Sequence, residues 1–72
     1  MTNYTKDRLR GYICLFNEGK RANDYYKMDR ARNMVCGGTS MALDMEIMDV
    51  YYAWRKIEKM MDNYIFNYVL SK

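Results

Sequence analysis

Eight apolar residues, Leu43, Ile47, Val50, Trp54, Ile57, Met61, Tyr64 and Tyr68, recur at alternating spacings of four and three without a miss. That is the repeat of one face of an α-helix. No other feature constrains the fold as tightly. With Thr39 or Ser40 as capping residue, the spacing predicts one long helix over about 40–70, roughly 45 Å long at about 1.5 Å per residue. The flanking positions include Ala53, Met60 and Ile65, where a free-standing coiled coil carries charges. The segment therefore reads as a bundle helix and not as a zipper. Met41, Met45, Met48 and Tyr52 form a second stripe beside the first, so the N-terminal half of this helix needs two covering helices.

The chain has no proline, so glycine is expected to mark the breaks, at Gly19 and at Gly37-Gly38. Before Gly19, a segment of about Thr5 to Glu18 places Leu9, Tyr12, Ile13 and Phe16 on one helical face, with Thr5 as its cap. The competing strand, Tyr12 to Phe16, would return through Arg21-Ala22-Asn23-Asp24, which is poor strand sequence. The second segment, about Arg21 to Cys36, carries Ala22, Tyr25, Met28, Ala31 and Val35 on one side. Opposite charges three or four apart, such as Asp29 with Arg32, support it as a helix. Gly37 is then expected to end it with a left-handed cap. Its weak amphipathicity predicts the least buried of the three helices. The expected fold is all-α: a single domain, 1–72, with two shorter helices packed on one long C-terminal helix.

Histidine is absent, which removes the usual base near neutral pH and the commonest transition-metal ligand. Cys14 and Cys36 form no C-x-x-C pair. They read as two buried thiols, with a disulfide as the alternative. Asp44, Glu46 and Asp49 fall in the first turns of the expected long helix, where they oppose the positive end of its dipole. Gly37-Gly38-Thr39-Ser40 lacks the lysine and the spacing of a phosphate loop. The expectations are no catalytic residue, no metal, no cofactor and no enzyme. The polar N-terminus does not resemble a signal peptide, and the longest apolar runs have five residues, far short of the roughly 20 that cross a bilayer. A cytoplasmic protein without membrane contact is expected.

Helices of about 14 and 16 residues cannot cover the far end of a 45 Å helix. The window Tyr64 to Leu70 is apolar all round and carries no charge, an aggregation signature when unprotected. A homodimer, or another protein such as a host factor, is the expected cover. Tyrosine is enriched at binding hot spots. The candidate protein-binding or dimer residues are Tyr51, Tyr52, Tyr64, Phe66 and Tyr68, with Arg55, Lys56 and Lys59 as a polar rim.

Nucleic acid is the rival partner. Residues 1–36 hold eight Lys/Arg and four Asp/Glu, whereas residues 37–72 hold four and five. Lys6, Arg8, Arg10, Lys20, Arg21, Lys27, Arg30 and Arg32 would form a phosphate-facing stripe, with Tyr25 and Tyr26 for stacking. A helix-turn-helix is disfavoured, because the would-be recognition helix opens with carboxylates. In general character, a very short, motif-free chain with surplus apolar surface resembles the small phage or mobile-element proteins that bind and inhibit a host factor, anti-CRISPR inhibitors among them. No motif carries that resemblance. The expected function is a small protein-binding inhibitor or adaptor acting by surface occlusion, with a small nucleic-acid-binding regulator as the alternative.

Overall fold

In a computed structural model, which describes residues 2–71, the chain forms three helices packed together: α1 (Asn3–Ala22), α2 (Tyr25–Asp44) and α3 (Met48–Leu70). The all-α fold expected from the sequence is thus present. The proportions differ. The helices have 20, 20 and 23 residues, so no long C-terminal helix over 40–70 overhangs two short ones. Residues 40–44 belong to α2, and α3 starts only at Met48.

The breaks fall elsewhere because glycine does not make them. No described glycine has a positive φ, whereas Asn23 (φ 55°) and Glu46 (φ 58°) do. Each of these residues closes the same kind of C-terminal turn. Asn23 N–H donates to Lys20 O at 3.2 Å and Asp24 N–H to Gly19 O at 2.8 Å. Glu46 N–H donates to Leu43 O at 3.1 Å and Ile47 N–H to Ala42 O at 2.9 Å. This paired pattern satisfies the last helical carbonyls, and it needs one left-handed residue, which asparagine tolerates better than glutamate.

Gly19 and Gly38 serve close packing inside helices. A Cβ on Gly38 would lie 2.1 Å from a carbon of the Trp54 ring, and one on Gly19 would lie 2.8 Å from Met28 Cγ. Gly37, in contrast, has open space around it. The caps also shift. Thr2, not Thr5, caps α1 by accepting from Thr5 N at 3.1 Å. Asp24 caps α2 by accepting from Lys27 N at 3.2 Å. Thr39 caps nothing; buried within α2, its hydroxyl donates to Val35 O at 2.9 Å.

α2 is the middle of the bundle and packs along both neighbours, while α1 and α3 approach each other less closely. Its inner face, Met28, Ala31, Val35, Thr39 and Ala42, is buried, with the first three wholly inaccessible. The helix expected to be least buried is the most buried. Small side chains at 31, 35, 38 and 42 let both flanking helices come close, and weak amphipathicity follows from being covered on two sides. Large side chains bridge the wider α1–α3 gap: Tyr12 packs edge-on against Trp54 (centroids 6.0 Å apart) and Phe16 edge-on against Tyr64 (5.8 Å). Trp54 Nε1–H is buried with no hydrogen-bond partner among the described residues, which costs about 1–3 kcal/mol of stability. Both cysteines are free thiols, Cys14 exposed and Cys36 half-buried.

Candidate interaction surface

α1 runs from one end of the 38 Å bundle to the other, α2 returns and α3 runs forward again. One end therefore holds the α1–α2 turn with the finish of α3. The other holds the α2–α3 turn with the start of α1. At the first end, Tyr68 stacks on Tyr25 with centroids 6.2 Å apart, and its hydroxyl donates to Asn23 O at 3.2 Å. Lys20 places its ammonium 4.6 Å from the Tyr64 ring centroid. This end is tied down by side chains from all three helices.

Apolar residues stand outside at both ends: Tyr26, Phe66, Val69 and Leu70 at the first are 52–83% exposed, and the second end carries a group of its own. Met41, Leu43, Met45, Ile47 and Met48 are all at least 38% exposed. The N-cap of α3, Ile47, makes no side-chain capping bond. The apolar run that predicted the start of a long helix marks this corner instead. The missed signal is Asp44-Met45-Glu46-Ile47, which has no glycine or proline and breaks the helix with a left-handed glutamate. Residues 33–54 bring three carboxylates and no Lys or Arg, while the start of α1 brings Lys6, Arg8 and Arg10 to the same end, with Arg8 beside Met41.

The residues singled out for protein binding separate into two groups. Tyr52, Lys56, Lys59 and Phe66 are exposed and lie at helical spacing on the outer side of α3, away from buried Trp54 and Met61. Asn63 and Leu70 continue the same exposed line. The others turn inward or sideways. Tyr64 packs on Phe16 in the α1–α3 groove, an open depression of about 240 Å³ that Ile13, Ile57 and Met60 also line. Tyr68 covers the α1–α2 turn, and Tyr51 is half-buried with its ring edge-on to Tyr52. Arg55 pairs with Glu58 at 3.2 Å, which compensates the charge of that buried carboxylate.

The basic residues are dispersed. Arg32 bonds Asp62 through Nε at 2.6 Å across α2 and α3, and this contact raises the guanidinium pKa above its usual value. Arg8 donates to Tyr12 Oη at 2.9 Å and lies over the Tyr4 and Tyr12 rings. Arg10 pairs with Asp7 at 3.6 Å, and Lys20 sits on Tyr64. Lys6, Arg8 and Arg10 are on the first turns of α1, whereas Arg21, Lys27 and Arg30 surround the α1–α2 turn at the opposite end. The cations of the first half of the chain do not form one continuous stripe.

Among the described residues, no group of three or more His, Cys, Asp or Glu is placed to hold a metal ion. No helix among the described residues is long and apolar enough to cross a membrane. No family model matches the chain, and comparison with curated proteins and with solved structures gives no match.

Proposed function

We propose that this chain is a small protein-binding inhibitor or adaptor that works in the cytoplasm by covering a surface on another protein, in the manner of phage or mobile-element anti-defence proteins. One observation carries the reading. Five large apolar side chains, all within the eight residues from Met41 to Met48, stand exposed at the α2–α3 corner. Single exposed apolar residues are normal on a protein surface, but a concentrated group marks an interaction site. Three of the five are methionines, whose flexible thioethers adapt to a partner's relief. The exposed line on α3, with Tyr52 and Phe66 as apolar anchors and Lys56 and Lys59 as polar rim, adjoins the corner along the bundle. Shallow depressions suit this use, since occlusion needs area and shape and no enclosed reaction chamber.

The test is capture from bacterial lysate with tagged wild type and with a Leu43→Ser/Met45→Ser variant, with and without nuclease treatment, read by mass spectrometry. One protein should be recovered with wild type at near-equal stoichiometry, and about tenfold less of it with the variant. Equal recovery by both proteins would remove the corner from the contact. Recovery only of nuclease-sensitive material would favour the basic residues around the α1–α2 turn, Lys20, Arg21, Lys27, Arg30 and Arg32, and a nucleic-acid partner.

A further inference from the structure

The outer side of α3 carries two apolar groups. Met48 and Tyr52 lie at its start, Phe66 and Leu70 at its finish, and all four are exposed. Between them lie the polar residues Lys56, Lys59 and Asn63. The arrangement is symmetric about Lys59. Tyr52 and Phe66 are each seven residues from it, and Met48 and Leu70 are each eleven. Two such helices laid antiparallel would place Tyr52 of one copy against Phe66 of the other, and Met48 against Leu70. The same contacts then occur twice, as a closed two-fold pair requires.

The turn joining α2 to α3 carries carboxylates, Asp44 and Glu46 among them, and the turn beside the finish of α3 lies in residues 18–32, which hold five Lys/Arg against three Asp/Glu. Antiparallel packing sets these two turns side by side, a favourable pairing. The cations at the start of α1, Lys6, Arg8 and Arg10, share the end with the acidic turn and reduce that gain. Size favours the same arrangement. A stable interface takes about 800 Å² from each partner, roughly a sixth of this chain's 5111 Å². With extents of 38 × 20 × 14 Å, the long side offers more than twice the area of an end. The central lysines have stems long enough to lie along the contact with their ammonium groups in water.

We infer that the exposed side of α3 is the docking surface for a second copy of this chain, in a closed antiparallel dimer with Tyr52 on Phe66 and Met48 on Leu70. In this dimer the α3 line and Met48 face the second copy, which leaves Met41, Leu43, Met45 and Ile47 for the occlusion reading, and that reading's test changes Leu43 and Met45.

The experiment is sedimentation velocity over a range of concentrations on the full chain and on two variants, Met48→Ser/Tyr52→Ser and Phe66→Ser/Leu70→Ser. All four positions are exposed, and circular dichroism of each variant checks that the helices are kept. Wild type should dimerise. Each variant alone should dimerise at least about a hundredfold more weakly, since each loses its contacts twice. In an equimolar mixture the two variants should pair with each other about tenfold more tightly than either pairs with itself. The mixed pair keeps one intact set of contacts, Phe66 and Leu70 of one on Tyr52 and Met48 of the other, where each variant alone keeps none. Wild type that stays monomeric would overturn the inference, as would a dimer abolished by only one variant or by neither. A mixture that pairs no more tightly than either variant alone would overturn it too. None of these outcomes alters the capture experiment with the corner variant, so the two readings fail separately.

Discussion

The two turns of this bundle use the same backbone geometry and are finished differently. Each ends a helix through the same pair of hydrogen bonds around one left-handed residue. The α1–α2 turn puts asparagine at that position, follows it with the Asp24 cap, and is covered by the Tyr68 hydroxyl. Wholly buried Met28 packs just behind it, against Gly19. The α2–α3 turn puts glutamate there, has no side-chain cap on the following helix, and leaves Met45 and Ile47 exposed. One turn is built to hold the fold. The other tolerates a strained residue and an uncovered apolar run, so its side chains are available for contact.

The largest expected effect lies in the helix between the turns. Gly38→Ala should destabilise by about 2–3 kcal/mol, because its Cβ has no space beside the Trp54 ring. Its neighbour should respond with the opposite sign. Gly37→Ala should stabilise by about 0.5–1 kcal/mol, since it meets nothing and improves helix propensity. Urea unfolding of the two variants, side by side, checks the pair. Two destabilisations of equal size would mean that close packing on Trp54 is not what Gly38 provides.

At the turns the signs should again divide. Asp24→Ala should cost about 1 kcal/mol through loss of its cap. Glu46→Gly should stabilise by up to about 1 kcal/mol by removing the Cβ penalty at positive φ. Thermal melts of both variants, analysed for free energy at a common temperature, would sharpen the contrast. A clear loss on Glu46→Gly would show that the corner glutamate is held by contacts that outweigh its strain.

The smallest effect should come from the corner surface. Leu43→Ser with Met45→Ser should shift folding stability by no more than about 0.5 kcal/mol, as exposed substitutions do. The same two changes are those expected to lower partner capture about tenfold. Chemical denaturation decides whether the two effects separate.

Helix type and number were legible in the sequence because the apolar spacing of α1 and of α3 from Val50 onward is sustained and each stripe faces a neighbour. The boundaries were not. Leu43 and Ile47 continue the helical spacing across a turn that separates α2 from α3, so periodicity alone joined two helices into one. Glycine misled for a related reason. In the absence of proline it looked like punctuation, while Gly19 and Gly38 are needed for close approach of Met28 and Trp54. The burial of α2 was hidden because a central helix with small residues gives a weak amphipathic signal. Of the candidate surface, Tyr52, Lys56, Lys59 and Phe66 were readable as the side of α3 opposite Trp54 and Met61. Tyr64 and Tyr68 continue the Trp54 and Met61 stripe, so the same spacing separates them from that side, whereas their partners Phe16, Tyr25 and Asn23 are visible only in the packed bundle. The corner itself emerged only once the Met41–Met48 stretch was split between two helices.

The most direct measurement of the contrast between the turns is native-state amide hydrogen exchange, resolved by residue. The amides from Met28 to Val35 are expected to exchange only through global unfolding, and those from Met45 to Val50 through local opening at rates at least about a hundredfold faster. Equal protection along both stretches would contradict the account, because the α2–α3 corner would then be as much a part of what holds the fold as the turn capped by Asp24.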